Sequence, residues 1–205
     1  MPTETFIHRF VPATDPEERR TLLLLHGTGG NENDLIPLGE TLLPGAAMLS
    51  PRGHIDEHGA FRFFRRFAEG VFDVENLRDE AAALADFVAV AARKYGFDAS
   101  RVVAIGFSNG ANIGHSLMCL HPQTVQDGVF IRAMVTLPEL KASGLEGKRV
   151  YLSTGKMDPI VPNENALQLE AQLKAGGATV THHWVDAGHN LTRGEIDAIR
   201  DWLTE

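Results

Sequence analysis

The stretch Val102-Val103-Ala104-Ile105-Gly106-Phe107-Ser108-Asn109-Gly110-Ala111-Asn112 decides how this chain folds. Its first four residues are apolar, mostly β-branched, and run into a glycine. From Ala111 to Leu120 the residues are helix formers with no proline. A G-x-S-x-G set between strand and helix is a nucleophile elbow, a tight turn that exposes the serine hydroxyl at the carboxyl edge of a sheet. The flanking glycines leave room where a Cβ would clash. An ordinary glycine-flanked turn with a capping serine would carry the same letters, so the rest of the sequence has to separate the two.

Strand-like and helix-like segments alternate on both sides of this motif, the pattern of a mostly parallel sheet with helices on both faces. Thr21 to Leu25 is a continuous apolar run suited to a central strand buried on both sides. Further strands are expected at Ala46 to Leu49, Val102 to Phe107, Val129 to Thr136, Val150 to Thr154 and Val180 to Val185, with an antiparallel edge strand at Thr5 to Val11. From Asp73 to Tyr95, Leu77, Ala81, Leu84, Val88 and Ala91 recur at helical spacing. Asn163 is placed to cap a helix ending at Gly176-Gly177. Thr192-Arg193-Gly194-Glu195 reads as a capping box that opens the last helix. No repeat or linker interrupts the pattern, so residues 1–205 are expected to form one domain.

Composition narrows the function classes. The chain has 205 residues, 43% of them apolar and 22% charged, with a formal charge of −8. That acidity argues against nucleic acid or an anionic membrane as partner. The single cysteine, Cys119, excludes an internal disulfide and sits among Leu117, Met118 and Leu120 as a structural thiol. No apolar stretch approaches a membrane span. Met1-Pro2-Thr3-Glu4 lacks the basic-then-apolar profile of a signal peptide, which makes the cytoplasm the default location.

A serine hydroxyl needs a base to take its proton, and the base needs a third group to orient it. On a sheet entered by such an elbow the partners follow in the order serine, acid, histidine. Asp158, just past the strand that ends at Thr154, is the best-placed acid; Asp127 lies before a strand, on the other edge, and Asp186 is the rival. Of the three later histidines, His182 and His183 are adjacent inside a strand and point to opposite faces. His189 follows that strand in a loop and is the expected base. An oxyanion needs preorganised donors. The backbone N–H groups of Asn109 and of Thr28, in His26-Gly27-Thr28-Gly29-Gly30, are the candidates, with the Thr28 side chain incidental and His26 holding the loop. The alternative of a dinucleotide loop fails because G-x-G-x-x-G is not completed.

Ser50 to Val71 is the longest irregular piece, with Phe61, Phe63, Phe64 and Phe67 interleaved with Arg62, Arg65 and Arg66. It is expected to form a wall or small lid over the pocket, with Phe63, Phe64, Arg65 and Leu137 as lining. Its arginines suggest an anionic or aromatic group on the substrate. His54 and His58 flank Asp56 and Glu57, but no second cluster completes a metal site, so no metal is expected.

The segments His26 to Asp34, Gly106 to Asn112, Asp158-Pro159-Ile160-Val161-Pro162 and Gly188-His189 together resemble the phospholipase/carboxylesterase family, over about residues 20 to 203. Ser50-Pro51-Arg52-Gly53 and Phe63-Phe64-Arg65-Arg66 are similar to a bacterial subgroup linked to hydroquinone and quinone stress. The resemblance implies an α/β-hydrolase fold with a minimal lid and a cofactor-free serine hydrolase that uses Ser108, Asp158 and His189. The expected substrates are small-molecule carboxylic esters of small or medium acyl groups, with thioesters and lysophospholipids as alternatives, a non-catalytic binding protein on the same scaffold as a further one, and a homodimer left open. Acyl-protein thioesterases of this family typically carry glutamine after the nucleophile and a Trp-Phe-Asp stretch, where this chain has Asn109 and Phe63-Phe64-Arg65-Arg66.

Overall fold

The computed structural model describes residues 6–205. Seven strands build the main sheet: β1 (His8–Val11), β2 (Thr21–Leu25), β3 (Ala47–Pro51), β8 (Val102–Phe107), β9 (Asp127–Ile131), β10 (Arg149–Gly155) and β11 (Thr179–Val185). Their order is β1-β3-β2-β8-β9-β10-β11, with β1 antiparallel to β3 and the other neighbours parallel. Five helices flank the sheet: α1 (Ile36–Leu42), α2 (Val74–Tyr95), α3 (Asn109–Leu120), α4 (Asn163–Ala175) and α5 (Arg193–Thr204).

The period of a strand explains why the central runs are apolar throughout. Leu23 and Leu25 face α2, α3 and α4, where Leu77, Leu84, Val88, Ile113, Leu117 and Leu173 complete one core. Leu22 and Leu24 face α1 and α5, joining Ile36, Leu42, Ile199, Trp202 and Leu203 in the other. Asp73 caps α2 by accepting from the Asn76 N–H, and Gly96 ends the helix with φ of 75°. The capping box at Thr192 and Glu195 opens α5 as its sequence indicates.

The connections place the site. The chain leaves β2 toward β3 on one side, then crosses back through α2 to β8 on the other. The carboxyl ends of β2 and β8 therefore lie side by side at a switch point, where open α/β sheets bind ligands. Leu25 pairs with Gly106 there.

Several expected boundaries move. The strand expected over Val129 to Thr136 is β9, Asp127–Ile131, because Arg132 turns the chain out of the sheet with φ of 58°. The residue preceding α4 is Pro162, not Asn163; the Pro162 carbonyl accepts the first helical N–H groups and Asn163 is already helical. The edge strand covers His8–Val11, while Thr5 and the Met1 to Glu4 stretch lie outside the described residues. The helix α1 has no counterpart in the sequence reading, since Pro37 and Gly39 break its pattern. The segment from Ser50 to Val71 is more regular than a loop: after β3 it folds into two hairpins, β4 (Ile55–Glu57) with β5 (Ala60–Arg62) and β6 (Arg66–Ala68) with β7 (Val71–Phe72).

Candidate active site

At the end of β8 the chain must reverse into α3 within one residue. Ser108 takes φ of 52° and ψ of −116°, a region that costs an L-residue about 1–3 kcal/mol. The neighbours permit it. A Cβ on Gly106 would sit 2.5 Å from the Gly110 carbonyl oxygen, and one on Gly110 would run into the Leu25 carbonyl of the adjacent strand. The turn is held by the Ser108 N–H donating to the Ile131 carbonyl at 2.8 Å.

Ser108 Oγ lies 2.9 Å from His189 Nε2, and His189 Nδ1 lies 2.8 Å from Asp158 Oδ2. Since a carboxylate only accepts, Nδ1 carries the hydrogen and Nε2 is free to accept from the serine hydroxyl. Asp158 is itself pinned: its Oδ1 accepts the N–H groups of Ile160 and Val161 at 2.8 and 3.2 Å, and its side chain is fully buried. The three residues come from the carboxyl ends of β8, β10 and β11, so the sheet supplies their convergence. The other acids and histidines lie elsewhere. Asp186 is exposed and pairs with Lys156, and Asp127 pairs with Arg149 at the far edge. His182 bridges Glu170 and Thr154, while His183 packs along Tyr151. His54 stacks on Phe6 and bonds Glu80.

The loop after β2 is fixed from beneath. His26 Nδ1 donates to the Gly27 carbonyl at 2.7 Å, and its Nε2 accepts from the Gly53 N–H at 3.0 Å. Burial lowers the pKa of this imidazole, which keeps it in the neutral form that can both donate and accept. The Thr28 side chain is not incidental: its Oγ1 accepts from Arg62 Nη1 at 2.6 Å, tying the loop to the end of β5. Gly29 N–H donates to the Phe61 carbonyl, extending the tie.

A cavity of about 200 Å³ opens over Ser108 and His189, bounded by Gly27, Thr28, Asn109 and Met134, with Arg62 and Arg66 from the hairpins. The pocket lining expected from the sequence differs. Phe63 and Phe64 are buried in the core beneath the cleft, where Phe63 packs on the His26 ring and donates its N–H to Asn109 Oδ1 at 2.7 Å. Arg65 points away and pairs with Asp73, and Leu137 is buried in the α2–α4 core. Phe63 and Phe64 lie in the bend between β5 and β6, where both rings turn into the core, while Arg62 at the end of β5 and Arg66 at the start of β6 border the cleft.

One residue behind the site has no sequence signal. Arg132 is fully buried and donates to the Gly188 and Asn190 carbonyls, at 2.9 and 2.6 Å, on either side of His189. Its fork is closed by Glu195 of the capping box, with N–O distances of 2.7 and 3.0 Å. Its Nε also lies 3.9 Å from Asp158 Oδ2. Burial pushes the Glu195 pKa up, but the donors Arg132, Ser153 and Thr192 outweigh it and leave the carboxyl below its ordinary value.

Comparison with known proteins agrees with this architecture. Residues 69–205 match the model of the phospholipase/carboxylesterase family. The chain is 40% identical over 184 residues to MhqD of Bacillus subtilis (strain 168), named a hydrolase, covering 90% of this chain and 92% of that one. The crystal structure of a Bacillus cereus carboxylesterase superposes with a TM-score of 0.95 at 41% identity, over 98% of this chain and 94% of its own. Atu2452 of Agrobacterium tumefaciens strain C58, a protein of unknown function, gives a TM-score of 0.89 at 36% identity, over 100% and 98% of the two chains. With an α/β-hydrolase sheet and relatives at these identities over nearly its whole length, this chain belongs to the phospholipase/carboxylesterase family and is a hydrolase of carboxylesterase type.

Proposed function

We propose that the chain cleaves carboxylic esters of small or medium acyl groups in the cytoplasm through an acyl-enzyme on Ser108. His189, oriented by Asp158, takes the serine proton as Oγ attacks the ester carbonyl. The backbone N–H groups of Thr28 and Asn109 hold the oxyanion, the latter at the first residue of α3, where the helix dipole also favours negative charge. The proton passes from His189 to the leaving alcohol, and water, activated by the same imidazole, releases the acid.

The observation that carries this reading is the unbroken hydrogen-bond chain from the buried Asp158 through His189 to Ser108, the last two lining one cleft. The size of that cleft supports the substrate class, because 200 Å³ is below the range of about 300–1,000 Å³ common for drug-sized ligands. The test is a p-nitrophenyl ester series of increasing acyl length, run beside a fluorophosphonate probe. Wild-type protein is expected to be labelled at Ser108 and to prefer short chains. Ser108→Ala should escape labelling and lose turnover by about 10⁶ while its unfolding curve stays unchanged. A maximum at long acyl chains would favour the lysophospholipase alternative, and faster cleavage of matched thioesters would favour the thioesterase one. An unlabelled wild-type protein would remove the mechanism.

A further inference from the structure

The arginines at the cleft are not alike. Arg66 is neutralised twice, by Glu57 at 2.8 Å and Glu69 at 2.6 Å. Arg132 is neutralised by Glu195. Arg62 lines the same cavity, is 3% exposed, and among the described residues has no carboxylate oxygen within 4.0 Å. Among the described residues its guanidinium donates only to Thr28 Oγ1 through Nη1 and, at 3.3 Å, to the Phe64 carbonyl through Nε. Nη2 finds no acceptor among the described residues. A buried cation is expected to be paired, and here the acids close enough to serve are already held by Arg66.

A second donor on the same wall is also unspent. Asn109 uses its Oδ1 to accept from Phe63, whereas its buried Nδ2 has no partner among the described residues. Arg62 and Asn109 are linked through the backbone between Arg62 and Phe63, and both border the cavity over Ser108. Two unfilled donors beside a nucleophile, one of them charged, describe a place where an anion is expected and the protein does not supply it. Burial, with the Arg66 charge as a lesser cause, holds the Arg62 pKa below the usual arginine value; the Glu57 and Glu69 carboxylates oppose this only from a distance, and the Phe64 ring lies 5.8 Å from the guanidinium.

We propose that Arg62 is the anchor for a carboxylate on the substrate, so that the preferred ester bears an anionic group a few atoms from the scissile carbonyl. The half-ester of a short dicarboxylic acid has this chemistry. A single carboxylate fits better than a phosphate, since Glu69 also borders the cavity and would meet a second negative charge. Arg62 Nη1 already braces Thr28, so an anion seated on the same guanidinium would be registered against the loop that holds the oxyanion. The proposal rests on the esterase reading and names the substrate class for that site.

The experiment compares monoethyl succinate with diethyl succinate by proton release, using wild-type protein. The half-ester should show a kcat/KM about tenfold or more above the diester, the scale of one charged hydrogen bond. In Arg62→Gln that ratio should collapse to one or below, and Arg62→Lys should recover part of it. Equal kcat/KM for the two esters in the wild type, or an equal loss on both in Arg62→Gln, would overturn the anchor. Should Arg62→Gln not fold, wild-type inhibition serves instead: succinamate should block 4-nitrophenyl acetate hydrolysis at about one tenth the concentration of succinamide. Equal inhibition would overturn the proposal. Hydrolysis of 4-nitrophenyl acetate without any preference for the anion sinks the anchor alone. Absence of all hydrolysis and of fluorophosphonate labelling sinks the esterase reading, and the anchor with it.

Discussion

Asp158 shows how much of a site can rest on one short side chain. One of its oxygens takes the His189 Nδ1–H, and the other takes two backbone N–H groups from the Pro159–Pro162 turn. Its carboxylate is thus fixed before substrate arrives. Asparagine in its place would keep the volume but can present an N–H to His189, favouring the tautomer in which Nε2 is protonated and cannot accept from Ser108. Asp158→Asn is therefore expected to lower kcat by about 10⁴ with little change in KM, measured by steady-state ester hydrolysis. Retention of more than a tenth of wild-type kcat would mean that His189 is oriented by something else. Asp158 was legible in the sequence because it follows an apolar strand and precedes two prolines. The Thr28 side chain was not, since nothing in a glycine-rich loop announces a partner 34 residues away.

At the scale of elements, α3 does more than carry the nucleophile at its head. Asn112 Oδ1 accepts the Met134 N–H at 2.7 Å, and His115 Nε2 donates to the Met134 carbonyl at 2.8 Å. One helix face so grips both backbone groups of a residue that borders the cleft, and Ser116 bonds Thr136 a step further on. The stretch after β9 thereby gains a fixed irregular course, which is why its apolar sequence reads as strand through Thr136 but leaves the sheet at Arg132. Burial drives the His115 pKa down to about 4, and among the described residues its Nδ1 has no acceptor to receive a second hydrogen. The sign follows: the folded value lies below the unfolded one of about 6.5, so the unfolded chain binds the proton first as pH falls. Stability should be full above pH 6.5 and decline by about 3 kcal/mol toward pH 4 on this group's account. His115→Gln keeps a donor for Met134 without titrating, and urea unfolding at pH 7 and pH 5 should show a shallower acid loss than wild type. Parallel losses in both proteins would assign the acid sensitivity elsewhere. The hairpins teach a related lesson at this scale. Phe63 and Phe64 looked like pocket lining because they lie in a long segment with arginines, yet the bend between β5 and β6 turns both rings into the core and leaves Arg62 and Arg66, at the flanking strand ends, to border the cleft.

The whole molecule joins these pieces through a buried ion pair behind the triad, between Arg132 and Glu195. Alternation of strands and helices was readable because the central strands β2, β3, β8 and β9 are buried on both faces, and Ser108, Asp158 and His189 each follow the end of a strand. Arg132 was unreadable for the opposite reason. A lone arginine is ordinarily a surface residue, and Glu195 already had a sufficient local role in the capping box, so neither pointed to the other across 63 positions. In the folded chain this pair connects the end of β9, the loop bearing His189 and the start of α5. Glu195→Gln leaves an acceptor for the α5 cap but strands the Arg132 charge in a dry site, which should cost about 3–5 kcal/mol of unfolding free energy. The carboxyl of Glu195 is held below its ordinary value, so its contribution is present above pH 4.5 and fades as pH falls below it. The gap between wild type and Glu195→Gln should therefore narrow in acid. Because Arg132 grips the carbonyls flanking His189, the same variant should lose kcat rather than KM, and ester hydrolysis measured in conditions where it remains folded will separate the two. Arg132→Lys should not substitute, since one ammonium cannot reach Gly188, Asn190 and both Glu195 oxygens at once. A Glu195→Gln protein as stable and as active as wild type at pH 7 would show that the His189 loop holds its position without this buried pair.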